Sequence, residues 1–174
     1  RRVHGLSKFL SHLQISSGDR VSILDFNSME YLETYFAASV VGAVLNPLNY
    51  RLSVEELCYI ISDAGSRVLI VNSHFNENVN QLLKKVNSIE RVIWIGEEPE
   101  IETSVDCYSY DDAVKFSGSE INVDVKPEDY VHLYYTSGTT GKPKGVILTH
   151  RNVCQHALGA ITELKLTNAD RWGH

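Results

Sequence analysis

Four short aliphatic runs punctuate the first hundred residues, at 21–24, 44–45, 67–71 and 91–95, and a helical pattern separates most of them from the next. Strands that run parallel cannot be joined by tight turns. Each needs a crossover of a dozen or more residues, usually a helix. The alternation therefore predicts an α/β fold with a mainly parallel sheet over residues 21–95 and covering helices. The runs are almost continuously apolar, as expected when both faces of the sheet are covered.

The connecting segments carry their own punctuation. Residues 1–13 read as an amphipathic helix with Leu6, Phe9, Leu10 and Leu13 on one face. Ser16-Ser17-Gly18-Asp19 is a turn. Asn27 or Ser28 caps a long apolar helix over residues 29–43, and Asn46-Pro47 ends the strand at 44–45. Ser53-Val54-Glu55-Glu56 is a capping box, in which hydroxyl and carboxylate satisfy free amides reciprocally; Gly65 stops the helix it opens. Residues 76–86 form a polar-faced helix. Between residues 96 and 129 the pattern loosens. Glu97-Glu98-Pro99-Glu100 reads as a solvated acidic turn, and Asp111-Asp112 as a helix N-terminus, where acids complement the dipole.

Composition excludes several classes of function. The net charge is -6, and basic residues gather only at Lys142 and Lys144, so there is no basic face for a nucleic acid. The three cysteines, Cys58, Cys107 and Cys154, lie far apart, which points to reduced, mostly buried thiols. The seven histidines form no zinc-binding pattern. No apolar run is long enough for a transmembrane segment.

The chemistry concentrates between residues 136 and 145. Thr136-Ser137-Gly138-Thr139-Thr140-Gly141-Lys142-Pro143-Lys144-Gly145 holds three glycines, four hydroxyls and two lysines. Residues 133–135 and 146–148, β-branched and aromatic, read as strands on either side. Gly138, Gly141 and Gly145 permit positive φ and close approach of backbone amides to an anion. The hydroxyls of Thr136, Ser137, Thr139 and Thr140 can donate to phosphate oxygens, and Lys144 adds a compact positive charge. The spacing differs from the common P-loop: two residues separate Gly138 from Gly141, Pro143 follows Lys142, and a strand follows. Nor is Ser137 in a nucleophile elbow, because Tyr135 stands where that motif needs glycine. A plain Gly/Thr hairpin turn is the alternative to a phosphate loop.

The stretch from Tyr135 to Val146 resembles the signature of the AMP-binding, adenylate-forming superfamily. That superfamily includes acyl-CoA synthetases, acyl-activating enzymes, luciferases and the adenylation domains of peptide synthetases. Gly18-Asp19-Arg20-Val21, the segment from Asn46 to Ser53, and Thr149-His150-Arg151-Asn152 resemble further family segments. Thr139 and the surroundings of Asn49 resemble fatty-acyl-CoA synthetases more than peptide synthetases.

The resemblance implies an ATP-dependent acyl-CoA ligase. A carboxylic acid, fatty by this comparison, attacks ATP to give acyl-AMP, and coenzyme A then takes the acyl group. Thr136, Ser137, Gly138, Thr139, Thr140, Gly141 and Lys144 are the expected ATP-binding positions, with Lys144 as the catalytic cation. Magnesium is expected with the ATP, and Thr136 is the candidate ligand. His150 is expected to cap a helix starting at Asn152 or to pack under the loop. The alternatives are another branch of the superfamily, or a non-catalytic nucleotide-binding module. The resemblance further implies that residues 1–174 are part of an adenylation domain, truncated at both ends and lacking a C-terminal domain, so that its partners include the rest of its own polypeptide. Trp172-Gly173-His174 reads as the start of a further family segment. The compartment stays open, with an intracellular one, cytoplasm or peroxisome, implied by the family.

Overall fold

The computed structural model of the chain describes residues 1–101, 103–136 and 141–171. Among them run α1 (Arg2–His12), β1 (Arg20–Leu24), α2 (Met29–Val40), β2 (Val44–Pro47), α3 (Val54–Ala64), β3 (Val68–Asn72), a 3-10 turn (Ser73–Phe75), α4 (Asn76–Leu83) and β4 (Arg91–Ile95). Then follow β5 (Asp106–Ser109), α5 (Tyr110–Ala113), β6 (Tyr130–Thr136), β7 (Lys144–Thr149) and α6 (His150–Leu164). The strands form one sheet in the order β5-β4-β3-β1-β2-β6-β7. Every neighbouring pair is parallel except the hairpin β6–β7, which is antiparallel. The mainly parallel α/β sheet expected from the alternation is present.

The core explains why the strands lack a polar face. Val21, Ile23, Val68, Ile70, Ile93 and Ile95 point into one cluster with α1, α2 and α5. Leu24, Leu69, Val71, Val92 and Trp94 point into the other, with α3 and α4. Burying each such side chain contributes about 1.5–3 kcal/mol, whichever face it lies on. In α1, Leu6, Phe9, Leu10 and Leu13 are all buried, matching the amphipathic reading.

Several local expectations hold and several are corrected. Ser28 caps α2, accepting from the Tyr31 amide at 3.0 Å. Ser53 and Glu56 form the full capping box of α3, and Gly65 closes it at φ 62°. Asp111 and Asp112 lie in the first turn of α5. The α2 helix, expected to run to residue 43, ends at Val40, because Gly42 takes φ 71° and the chain turns into β2. Asn46 and Pro47 belong to β2 rather than ending it; Pro47 is the last strand residue, opposite Ile23. The helix expected over residues 76–86 stops at Leu83. In the loosely patterned region, β5 was not foreseen: its residues are polar and half-exposed, as an edge strand allows. Of the three free cysteines none is buried: Cys58 and Cys107 are half-buried, and Cys154 is exposed.

Candidate functional site

The phosphate-suited segment bridges β6 and β7, as its β-branched flanks predicted. The ladder runs from Tyr130 opposite Thr149 to Thr136 opposite Lys144. Thr136 therefore closes one strand and Lys144 opens the other, both exposed. A strand, not a helix, follows Gly145, which separates this hairpin from a P-loop. Ser137, Gly138, Thr139 and Thr140, four of the expected ATP-binding positions, lie outside the described residues, as do Trp172, Gly173 and His174. Gly141 has φ 89°, in line with the positive φ expected of it.

Gly145 is a correction. It has no positive φ, and its value is steric. A Cβ there would stand 2.9 Å from Leu133 Cδ1 and 3.4 Å from the Tyr135 ring. Tyr135 is its cross-strand partner, so the missing side chain leaves room for that ring.

Strand alternation sends the last two tyrosines of β6 to opposite faces. The Tyr134 hydroxyl lies 3.1 Å from the Tyr35 hydroxyl on α2. The Tyr135 hydroxyl donates to Asp63 Oδ2 on α3 at 2.6 Å. Burial, followed by the bond to Asp63, raises the Tyr135 pKa well above the ordinary tyrosine range, so the hydroxyl stays a donor at neutral pH. Two residues before Tyr134, His132 is buried against Tyr35, with ring centroids 4.9 Å apart. Desolvation lowers its pKa, and the nearby His150 adds to the effect. Lys142 projects over the Tyr59 ring of α3, its Nζ 5.8 Å from the centroid.

The helix after the hairpin differs from expectation. It starts at His150 rather than Asn152, and Thr149 caps it, not His150: the Thr149 hydroxyl accepts from the Asn152 amide, and Asn152 Oδ1 accepts from the Thr149 amide. His150 is partly covered, with a buried Nε2 that has no hydrogen-bond partner among the described residues.

The other segments that resembled the family have structural roles around α3. Arg20 Nε donates to the Ala64 carbonyl at 2.6 Å and Nη2 to the Gly65 carbonyl at 3.2 Å, a cation on a helix C-terminus. Asp19 accepts from Arg67 at 2.8 Å. Asn49 accepts from the Arg51 amide at 3.0 Å, setting the turn that leads into the Ser53 cap. Tyr59, Asp63 and Arg20 were not singled out from the sequence as site residues; the i, i+4 spacing of Tyr59 and Asp63 was the available signal.

Two other places lie where a ligand could sit. At the strand ends where β1 and β3 diverge to opposite sides, a common ligand position in such sheets, Asp25 is buried. It accepts from the Phe26 amide at 2.8 Å, Asn72 Nδ2 at 2.9 Å and Ser28 at 2.5 Å, so its oxygens are already used. A recess of about 760 Å³ lies between Glu98 and Cys107 at the far edge of the sheet. It is lined by Glu98 and Glu100 and by no cation among the described residues, which does not suit phosphate. The hairpin, by contrast, carries two exposed cations, Lys142 and Lys144.

Known proteins share this fold. A feruloyl-CoA synthase from Amycolatopsis sp is 34% identical over 98% of this chain and 31% of its own length. The chain thus spans about a third of the length of the curated relatives it matches. A long-chain-fatty-acid-CoA ligase (FadD1) from Archaeoglobus fulgidus superposes with a TM-score of 0.85 at 32% identity, covering 97% of this chain and 32% of that one. ATP-bound MatB from Rhodopseudomonas palustris superposes with a TM-score of 0.78 at 27% identity, over 95% of this chain and 31% of that one. The family profile described as AMP-binding enzyme matches residues 1–174, and the chain belongs to that family.

Proposed function

We propose that this chain is the phosphate-holding part of an AMP-forming acid–thiol ligase, which activates a fatty carboxylic acid as acyl-AMP and transfers the acyl group to coenzyme A. The observation that carries the reading is the hairpin itself, with Thr136 directly opposite Lys144 at the base of a glycine- and hydroxyl-rich loop. In the first step a carboxylate oxygen of the acid bonds to the α-phosphorus of ATP, and the bond from that phosphorus to the bridging oxygen breaks. Pyrophosphate leaves with the electron pair. In the second step the coenzyme A thiol loses its proton to solvent, its sulfur bonds to the acyl carbon, the bond from that carbon to the phosphate oxygen breaks, and AMP departs with the electron pair.

Within this scheme the loop acts electrostatically. Negative charge grows on the departing pyrophosphate, and fixed donors aimed at that charge lower the barrier. Lys144 supplies the cation, and Thr136, Ser137, Gly138, Thr139, Thr140 and Gly141 supply hydroxyl and amide donors. Lys142 is engaged by the Tyr59 ring, which favours Lys144 for this role. Magnesium would neutralise phosphate charge. It binds hard oxygens and keeps several waters, so an exposed hydroxyl such as Thr136, together with the phosphates, fits its donor chemistry without a dedicated carboxylate cage.

Residues 1–174 form part of a longer adenylation domain in this reading. Large apolar side chains lie open on three elements: Met29 and Phe36 on α2, Val146 and Ile147 on β7, Leu158 and Leu164 on α6. Further polypeptide of the same protein is the natural cover for them. Ferulate is the competing acid to test, because the chain is similar both to a feruloyl-CoA synthase and to a long-chain-fatty-acid-CoA ligase. The test is pyrophosphate exchange into ATP by the complete polypeptide, with fatty acids of graded length and ferulate offered in parallel. Exchange with fatty acids is the expected result. Exchange with ferulate alone would move the substrate class, and none with any acid would remove the ligase reading.

A further inference from the structure

We propose that Asp63, with Tyr59 one turn before it, is a positioning residue that sets the phosphate hairpin from the side of α3; the proposal rests on the hairpin's reading as the ATP-phosphate site. The α3 helix is held at both ends and along its inner side. Ser53 caps its start, within the capping box with Glu56. Arg20 binds the carbonyls of Ala64 and Gly65 at its end. Leu57, Ile60, Ile61 and Ala64 bury its inner side. A helix held at both ends and along one side is a rigid reference. Tyr59 and Asp63, four residues apart, share a face that reaches the hairpin on both sides of the loop.

The contacts fall on the two shoulders. The Asp63 carboxylate takes the Tyr135 hydroxyl at 2.6 Å, one residue before Thr136. The Tyr59 ring lies under Lys142, two residues before Lys144. Gly145, across the ladder from Tyr135, leaves the space in which the Tyr135 ring lies. The bond adds little to folding, because Asp63 is open to solvent. What the bond does is fix where β6 ends. A small displacement of groups that meet a reacting phosphate is costly in rate even when the fold is intact.

The experiment is pyrophosphate exchange by the complete polypeptide carrying Asp63→Ala, Tyr135→Phe, both together, or Asp63→Asn. Each single variant should lower kcat about fivefold, the loss of one hydrogen bond, with KM for ATP changed less than twofold. The double variant should be no worse than either single one, since both remove the same bond. Asp63→Asn keeps an acceptor oxygen and should restore most of the rate. Melting temperatures should stay within about 2 °C. Additive losses, a change in KM alone, or no change would overturn the proposal. Lys144→Ala, run beside them, separates the two ideas. If it lowers exchange while the Asp63 and Tyr135 variants do not, only the positioning role fails. If it leaves exchange unchanged, the phosphate-site reading fails and the positioning role with it.

Discussion

Thr136 and Lys144 are cross-strand partners, the last pair on the ladder between β6 and β7. Directly opposed residues in an antiparallel pair project to the same face, about 4.5–5.5 Å apart at Cβ. A hydroxyl donor and an ammonium are thus delivered side by side by backbone pairing alone, however the loop between them is arranged.

Replacing the cation tests that delivery. In the complete polypeptide, Lys144→Ala should lower pyrophosphate exchange roughly tenfold to a hundredfold, the equivalent of a lost charge-assisted contact of about 1.5–3 kcal/mol. Lys144 is exposed, so the melting temperature should be unchanged. An unchanged exchange rate would take Lys144 out of the site.

Gly145→Ala should act on the same hairpin through packing. The new methyl meets Leu133 Cδ1 at 2.9 Å and crowds the Tyr135 ring. Leu133 can yield in part, so a loss of about 1 kcal/mol is expected, near the low end for overpacking. Thermal unfolding should show a fall of roughly 2–4 °C in this size range.

Gly5→Ala is the sharper stability test. Alanine would favour α1 by about 1 kcal/mol through helix propensity. The same methyl would stand 1.9 Å from the Val114 carbonyl oxygen, and backbone cannot rotate away as a side chain can. Overpacking at about 3 kcal/mol then outweighs propensity, for a net loss of about 2 kcal/mol. Urea unfolding should show it, and a stabilised variant would mean that α1 does not lie on α5 in this way.

His132 gives a pH signature. Its pKa is lowered on folding by burial among Tyr35, Tyr134 and His150. The unfolded chain therefore takes up a proton near pH 6.5 that the folded chain resists. The contribution is intact above pH 6.5 and is lost as the pH falls below it. Urea midpoints at pH 8 and 5.5 should differ more for the wild type than for His132→Gln. Equal differences would assign the slope to other groups.

Residues 1–174 alone should make no acyl-CoA. Holding phosphates is one part of the reaction, and a misplacement of about 1 Å between acid and phosphorus can cost a hundredfold. Incubation with ATP, magnesium, fatty acids and coenzyme A, followed by measurement of AMP and thioester, checks this. Turnover abolished by Lys144→Ala would show that the chain is self-sufficient.

Local chemistry was legible in the sequence because its causes are local. Ser53 and Glu56 form their box within one turn, Gly65 ends the helix it follows, and the apolar run at Arg91–Ile95 is a strand buried on both faces. The hairpin, too, is legible from its β-branched flanks and its dense run of glycine, hydroxyl and lysine. Polar β5 was not, because an edge strand need not bury both faces. Gly145 reads as a flexible loop glycine until the Tyr135 ring is placed against it. Asp63 sits 72 residues from Tyr135, and Arg20 44 residues from Ala64. Neither partner is implied by its neighbours in the chain, since sheet order and helix direction decide which distant surfaces meet. Sequence determined that this chain builds an α/β sheet and carries a phosphate-suited hairpin; the tertiary structure alone decided that α3 would be the surface against which that hairpin is held, because only packing converts long separation in sequence into contact.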